Sequence, residues 1–178
     1  KGTDKKLGLF EVAKLSKKTT NSLDTYYSWT RESMTFPNGA HVVEIEIDRE
    51  TGEVLLKRYT AVDDYGVLVN PLIVAGQMHG AITQGIGQAL LETVVYDNHS
   101  GQLLTGSFMD YALPRADGLP FYKVDFNGTR CTTNPLGVKG CGEAGTIAAP
   151  PAIANAIIDA LSRFGITHFD GPATPARI

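Results

Sequence analysis

Residues 134–146 combine one carboxylate and one amine with four glycines. The carboxylate belongs to Glu143 and the amine to Lys139. The glycines are Gly137, Gly140, Gly142 and Gly145. Loops of this composition can expose backbone N–H groups that bind phosphate-like oxygens, and a lysine adds a cationic donor. The stretch therefore predicts a loop that binds an anionic group.

Glu143 is the candidate for acid–base chemistry in this loop. It is the only carboxylate between Asp125 and Asp159, and the apolar residues 147–151 follow it. A carboxylate with few solvated neighbours is suited to proton transfer near neutral pH. A structural interpretation is equally open at this point, in which Glu143 caps the helix predicted after it.

A second glycine-rich stretch, residues 76–88, carries three glutamines. The glutamines are Gln77, Gln84 and Gln88, and the glycines are Gly76, Gly80, Gly85 and Gly87. Each glycine costs a helix about 1 kcal/mol relative to alanine, so such glycines usually permit close approach of another backbone or a ligand. The pattern matches neither the dinucleotide fingerprint nor the P-loop. The glutamines could bind a polar ligand, but the residues alone favour close helix packing.

The strands that would position these stretches are predicted from periodicity. Apolar and acidic side chains alternate over residues 43–48, and a second strand is predicted over residues 54–62. The short turn between them predicts an antiparallel hairpin. A second hairpin-like turn is predicted over residues 94–104, and a further strand over residues 121–126.

The predicted helices complete the fold class. Asn70 is a good N-cap and Pro71 a good first residue for a helix that runs to about residue 92. A final helix is predicted over residues 151–163 and a short one near residues 9–15, whereas residues 165–178 form a tail without regular structure. The expected fold is α+β, with antiparallel strands packed with two main helices.

Composition narrows the class of protein. The 178 residues are 43% hydrophobic and 20% charged, which is typical of a folded globular domain, and the net charge of −3 argues against nucleic-acid binding. Gly, Gln, His or charged residues interrupt every apolar stretch, so no membrane span is predicted. Cys131 and Cys141 match no zinc spacing and indicate free thiols in a reducing, cytoplasmic compartment. A first residue of Lys1 suggests a piece of a longer polypeptide.

Together these stretches resemble the molybdopterin-binding subunit of the xanthine oxidase family of molybdenum hydroxylases. That family includes xanthine dehydrogenases, aldehyde oxidoreductases and the large chain of aerobic carbon monoxide dehydrogenase. The resemblance extends from about Phe36 to Leu161 and is weak over residues 1–35 and in the tail. It implies that residues 1–178 are the C-terminal portion of such a domain. It is carried by FPNGAHVVEIEIDRETGEV, NPLIVAGQMHGAITQGIGQALLE, GQLLTGSFMDYALPRAD and TNPLGVKGCGEAGTIAAPPAIANAIIDAL.

The resemblance implies a role for individual residues. Glu143 matches the active-site glutamate that acts as the base, and Gln77 matches a glutamine that hydrogen-bonds the cofactor. Lys139 lies with Gly140 and Gly142 in the segment that matches the surroundings of the pterin, and Gln84 is a further neighbour. No protein side chain is implied as a metal ligand.

The resemblance also implies cofactors and partners. The cofactor is molybdopterin cytosine dinucleotide with molybdenum, and 2Fe–2S clusters and FAD belong to partner domains or subunits. The substrate is a small molecule with an electron-poor carbon, in a purine, an N-heterocycle or an aldehyde, and the oxygen comes from water. The upstream part of the same subunit is a further partner, and the isolated chain is expected to be inactive.

Two other hypotheses remain open from the sequence. The chain could be a non-catalytic interaction or oligomerisation module derived from such an enzyme. It could also be a small nucleotide-binding domain that uses its glycine-rich loops directly.

Overall fold

The computed structural model describes residues 3–19, 22–30 and 33–178. They divide into two compact units, residues 1–32 and 33–178. The described part of the first unit contains one short helix, α1 (Leu9–Ser16), where a short helix was predicted. The second unit contains the sheet, two long helices and both glycine-rich stretches.

The sheet has three strands in the order β1-β2-β3. They are β1 (Asn38–Ile47), β2 (Val54–Asp64) and β3 (Tyr122–Phe126). The β1–β2 hairpin is antiparallel, as predicted, but β3 pairs with β2 in parallel. The expectation of antiparallel strands therefore holds for the hairpin alone. A long connection that contains a helix separates β2 from β3, and such crossovers bring the next strand in along the same direction.

Two long helices, α2 (Pro71–Leu90) and α3 (Ala144–Leu161), pack against each other. The predicted start of α2 is confirmed, because the Asn70 side chain accepts a hydrogen bond from the backbone N–H of Ile73 at 3.2 Å. The predicted start of α3 at Pro151 was wrong, since the helix begins at Ala144 with both prolines inside it. Proline is favoured in the first turn of a helix but is not confined to it.

The segments that connect the main strands and helices contain less regular secondary structure than predicted. The turn over residues 94–104 forms with one bridge, between Tyr96 and Leu103, rather than two strands. Two 3₁₀ turns, Ala116–Gly118 and Ser162–Phe164, lie elsewhere in the connections. The tail lacks helix and strand, as expected, but Ala173 is buried and its N–H donates to the carbonyl of Ala89 at 2.7 Å.

The core lies between the sheet and the two long helices. Alternate residues of β1 and β2 turn toward it, among them Val43, Ile45 and Tyr59. The fully buried side chains include Tyr59, Tyr65, Met78, Ile82, Ile86, Ile153 and Ile157. Because α3 packs against both α2 and β1, its first turn has a fixed place beside the end of the sheet.

One helical stretch among the described residues, Ala144–Phe164, is long and apolar enough to cross a membrane. Its Ala149, Ile153 and Ile157 are fully buried within the protein. A helix that packs one face into a protein core can have the same length and composition, and the burial of these three side chains fits a core helix.

Glycines permit the close contact between α2 and α3. A Cβ atom at Gly85 would lie 2.7 Å from the Cβ of Ala149, and one at Gly145 would lie 2.8 Å from the Cβ of Ala81. The packing interpretation of the first glycine-rich stretch is therefore correct for Gly85. It does not extend to Gly76 and Gly80, where an added Cβ meets no described atom within 4 Å.

Gly85→Ala should destabilise the chain by about 1–3 kcal/mol, because the added methyl group forces two helices apart. Gly80→Ala is the matched control on the same helix, and it should be neutral or stabilise by up to about 1 kcal/mol through helix propensity. Urea denaturation of both variants of the 178-residue chain measures the difference. Equal stabilities would contradict the close packing of α2 on α3.

Candidate active site

Glu143 lies at the edge of a cavity of about 510 Å³. The cavity is bounded by the start of β1, the end of β2 and the loop that leads into α3. Glu143 occupies the N-cap position of α3, but its side chain makes no capping hydrogen bond and is exposed. The capping interpretation is therefore not supported. The described residues also leave this carboxylate solvated, so any desolvation has to come from outside them.

The glycine-rich loop before Glu143 is attached to the end of β2. The N–H of Lys139 donates to the carbonyl of Tyr65 at 2.9 Å, and the N–H of Val67 donates to the carbonyl of Gly137 at 2.9 Å. Gly137 has a φ of 73°, a conformation that favours glycine. The N–H of Gly140 donates to the hydroxyl of Thr35 at 3.3 Å.

This attachment corrects the expected row of free N–H donors. Gly137 serves a backbone turn and Gly145 serves the packing of α3 on α2. An added Cβ at Gly140 or Gly142 meets no described atom within 4 Å, and both residues line the cavity with Glu143. These two glycines are therefore the ones that leave space for a ligand.

Lys139 is held by an ion pair rather than turned into the cavity. Its ammonium lies 2.7 Å from Oδ2 of Asp64, with both side chains about a tenth exposed (11% and 10%). The other oxygen of Asp64 accepts from the backbone N–H groups of Gly66 at 2.8 Å and Thr129 at 3.0 Å. The hydrogen bond from Lys139, helped by these two N–H groups, lowers the pKa of Asp64 far below its ordinary value.

A buried polar cluster lines one wall of the cavity. His41 and Asp63 both line it, with side chains only 4% and 3% exposed. His41 lies opposite Ala61 in the hairpin, so its ring reaches the diagonal neighbours Tyr59 and Asp63 on the same face. Nδ1 lies 2.8 Å from the Tyr59 hydroxyl, and Nε2 lies 3.3 Å from Oδ1 of Asp63.

The direction of these hydrogen bonds follows from Asp63, because an ionised carboxylate can only accept and Nε2 of His41 therefore donates to it. In the neutral imidazole, Nδ1 then accepts from the Tyr59 hydroxyl. Burial, reinforced by the nearby charge of Asp63, raises the pKa of Tyr59 above its usual range, so the hydroxyl keeps its proton. Among the described residues, Oδ2 of Asp63 has no hydrogen-bond partner, although it also lies 3.3 Å from Nε2.

Sequence reasoning assigned no role to His41, Asp63 or Asp64. A signal was present, because His41 is in phase with Val43 and Ile45 on the buried face of a strand. A polar side chain at such a position needs partners. Asp63 and Asp64, the last two residues of β2, are both buried as well. His79, by contrast, hydrogen-bonds within its own helix, with its Nδ1 2.7 Å from the carbonyl of Ala75.

Gln77 and Gln84 do not line the cavity around Glu143. They are exposed and lie two turns apart on one face of α2, with Gly80 between them. The start of α3 crosses the middle of this helix, where the Thr146 hydroxyl donates to the carbonyl of Ala81 at 3.0 Å. The structure thus places the two glutamines on a helix that contacts the Glu143 end of α3, while leaving their amides open.

The residues present fit a polar cofactor of extended shape. Gly76 and Gly80 leave the surface beside Gln77 open, and Gly140 and Gly142 do the same near Glu143. Within the described ranges, no three His, Cys, Asp or Glu side chains are grouped as metal ligands. A larger cavity of about 660 Å³ lies at the start of β2, away from Glu143.

A sequence profile described as the molybdopterin cofactor-binding domain matches residues 3–120. The chain belongs to this family, within the xanthine oxidase type. The chain is 42% identical over 151 residues to the nicotine 6-hydroxylase large subunit of Paenarthrobacter nicotinovorans, covering 85% of the chain and 18% of that protein. It is 35% identical over 156 residues to the carbon monoxide dehydrogenase large chain of Hydrogenophaga pseudoflava, covering 88% and 19%.

Solved structures agree with this assignment and with the α+β fold. The chain superposes on Cu,Mo-CO dehydrogenase with a TM-score of 0.86 at 32% identity, covering 94% of the chain and 22% of that protein. It superposes on quinoline 2-oxidoreductase from Pseudomonas putida 86 with a TM-score of 0.76 at 40% identity, covering 79% and 18%. The chain thus spans about a fifth of the length of these relatives.

Asp64→Asn should lower the melting temperature at neutral pH, because Lys139 loses its charged partner. Since the folded-state pKa of Asp64 is depressed, its contribution to stability is present above the unfolded value of about 4 and is lost as the pH falls below it. The difference in melting temperature between wild type and variant should therefore shrink from pH 5 to pH 2.

Glu46→Gln is the control for this pH series. It breaks an ion pair of similar length, 2.9 Å to Lys57, whose side chains are 62% and 50% exposed. Exposed ion pairs contribute little to the free energy of unfolding, so the melting temperature of Glu46→Gln should stay close to that of wild type. A difference for Asp64→Asn that is constant with pH would show that the carboxylate charge is not what stabilises the loop.

Proposed function

We propose that this chain supplies the catalytic base, Glu143, of a molybdenum hydroxylase that oxidises an electron-poor carbon with oxygen derived from water. The observation that carries the proposal is the placement of Glu143. Its carboxylate is exposed beside a cavity, makes no helix cap, and lies in a chain of the molybdopterin-binding family. A base has to present an unoccupied carboxylate oxygen to the proton it accepts.

The cofactor proposed for the complete protein is molybdopterin cytosine dinucleotide with molybdenum. When bound, it supplies the two-electron oxidation and the activated oxygen. Gln77 and Gln84 would bind its polar groups from α2, and Gly140 and Gly142 would let it approach the loop. The open surface at Gly76 and Gly80 supports this arrangement, since a side chain there would narrow it.

The residues of this chain perform the proton transfer and the positioning. Glu143 accepts a proton at a carboxylate oxygen as the oxygen nucleophile attacks the substrate. Its backbone is fixed by α3 on one side and by the loop bound to β2 on the other. Residues outside the chain would exclude water from the carboxylate, because the described ones leave it exposed.

Pyridine-type N-heterocycles are the substrate class we favour over purines and aldehydes. The relatives include proteins named nicotine 6-hydroxylase and quinoline 2-oxidoreductase, at 42% and 40% identity. Ring nitrogen withdraws electrons from adjacent carbons and so prepares them for attack by an oxygen nucleophile. Assaying the complete enzyme with pyridine-type, purine and aldehyde substrates tests this preference.

Partners are proposed for the complete protein because its relatives are named as a large subunit and a large chain. They are the upstream part of the same subunit and the domains or subunits that carry 2Fe–2S clusters and FAD. These groups would take electrons away after each oxidation. We place the enzyme in the cytoplasm, where two thiols such as Cys131 and Cys141 stay reduced.

Glu143→Gln in the complete, cofactor-loaded enzyme should lower kcat by about 10²-fold or more, because the amide cannot accept the proton. Molybdenum content and melting temperature should be unchanged, since the side chain makes no hydrogen bond that the fold needs. Glu50→Gln, at an exposed position in the β1–β2 turn, is the control. Near-normal turnover of Glu143→Gln would favour the non-catalytic interaction module.

Gln77→Ala should weaken cofactor retention several-fold, as expected for one lost hydrogen-bonding amide. Molybdenum per subunit after dialysis is the readout. Gln102→Ala removes an exposed glutamine in the turn over residues 94–104 and should retain the metal. Equal molybdenum in the two variants would exclude Gln77 from cofactor binding.

A further inference from the structure

The end of β2 carries two consecutive carboxylates that hold opposite sides of the cavity. Successive side chains of a strand point to opposite faces, so Asp63 and Asp64 reach different neighbours. Asp63 contacts the start of β1, and Asp64 contacts the glycine-rich loop. Both side chains are at least nine-tenths buried.

Asp64 fixes the loop wall of the cavity. Its carboxylate accepts hydrogen bonds from the Lys139 ammonium and from the backbone N–H groups of Gly66 and Thr129, all within 3.0 Å. The link from Asp64 to Lys139 spans 75 residues of sequence and ends four residues before Glu143. No other ion pair among the described residues joins this loop to the sheet.

Asp63 fixes the opposite wall. Its carboxylate accepts from His41, which in turn accepts from Tyr59. The same carboxylate touches the backbone of Gly39, where any Cβ atom would collide with it. Gly39 and His41 both line the cavity, so the position of this wall depends on Asp63.

We propose that Asp63 and Asp64 are positioning residues for Glu143, each fixing one wall of its cavity. The proposal rests on the proposed function of Glu143 as a base. Neither carboxylate needs to touch the reacting atoms. Their effect is geometric, because proton transfer and attack require atoms placed within a fraction of an ångström, and a 1 Å error can cost roughly 10²-fold in rate. In this assignment Lys139 acts through the backbone of its loop rather than on the cofactor.

The test compares four variants in the complete, cofactor-loaded enzyme. Asp64→Asn and Lys139→Met each leave one charge unpaired, the double variant removes both charges, and Lys139→Arg keeps the pair. Because loss of a buried pair as a unit can be nearly neutral for stability, the double variant should recover the melting temperature. It should not recover kcat, since the tie between loop and sheet is still missing.

The expected results distinguish an effect on the position of Glu143 from an effect on the stability of the protein. Asp64→Asn and the double variant should lower kcat by about 10²-fold, with KM changed less than about twofold and molybdenum content kept. Lys139→Arg should retain most of the activity. His41→Leu should lower kcat in the same way through the other wall, since it removes the contacts to Asp63 and Tyr59. Glu46→Gln, in the exposed pair on the hairpin, should leave all readouts unchanged.

Three outcomes would overturn the proposal. Unchanged kcat in Asp64→Asn removes Asp64 from positioning. Recovery of both kcat and melting temperature in the double variant makes the pair purely stabilising. Loss of molybdenum in Lys139→Met but not in Asp64→Asn means that Lys139 binds the cofactor directly. If Glu143→Gln is inactive and Asp64→Asn is fully active, the positioning role fails but the assignment of Glu143 as the base stands. If Glu143→Gln is active, the proposed role of Glu143 as a base fails as well.

Discussion

The ion pair between Lys139 and Asp64 determines where the loop that carries Glu143 can lie. Between β3 and α3 the chain has one bridge residue, Val138, and otherwise no strand or helix. A loop of that length has many conformations unless specific contacts select one. Here the end of β2 and the residue after it select the conformation, because Asp64 binds the Lys139 ammonium and the Tyr65 carbonyl accepts from the Lys139 N–H. The packing of α3 on α2 then fixes the other end of the loop.

Periodicity and capping predicted the elements that depend on local sequence. The β1–β2 hairpin follows from strict alternation, and the start of α2 from Asn70 and Pro71, so both were found. The parallel pairing of β3 and the true start of α3 depend on tertiary packing. Local patterns do not encode such contacts, which is why the helix predicted from residue 151 begins at Ala144 instead.

The residues of the candidate site also fall into those that local sequence indicates and those that only the folded chain brings together. Glu143, Gly140 and Gly142 were recognisable as a loop with one carboxylate, and the structure places all three around one cavity. His41, Asp63 and Asp64 were missed because they come from two strands that meet only in the folded chain. The ion pair of Lys139 was missed for a related reason, since its partner Asp64 is distant in sequence. The two glutamines of α2 remain an assignment by resemblance, on a surface that the described residues leave open.

The long-range contacts of the loop also bear on the order in which the protein can be assembled. A nascent chain emerges from its N-terminal end, and domains fold as their segments become available. The hydrogen bond from Gly140 to Thr35 joins residues 105 positions apart, and Lys139 meets Asp64 across 75. The hairpin can therefore form early during translation, but its partner loop is still inside the ribosome. The cavity around Glu143 is completed only after that loop and α3 have emerged, so nothing can be loaded into it before synthesis of this segment ends.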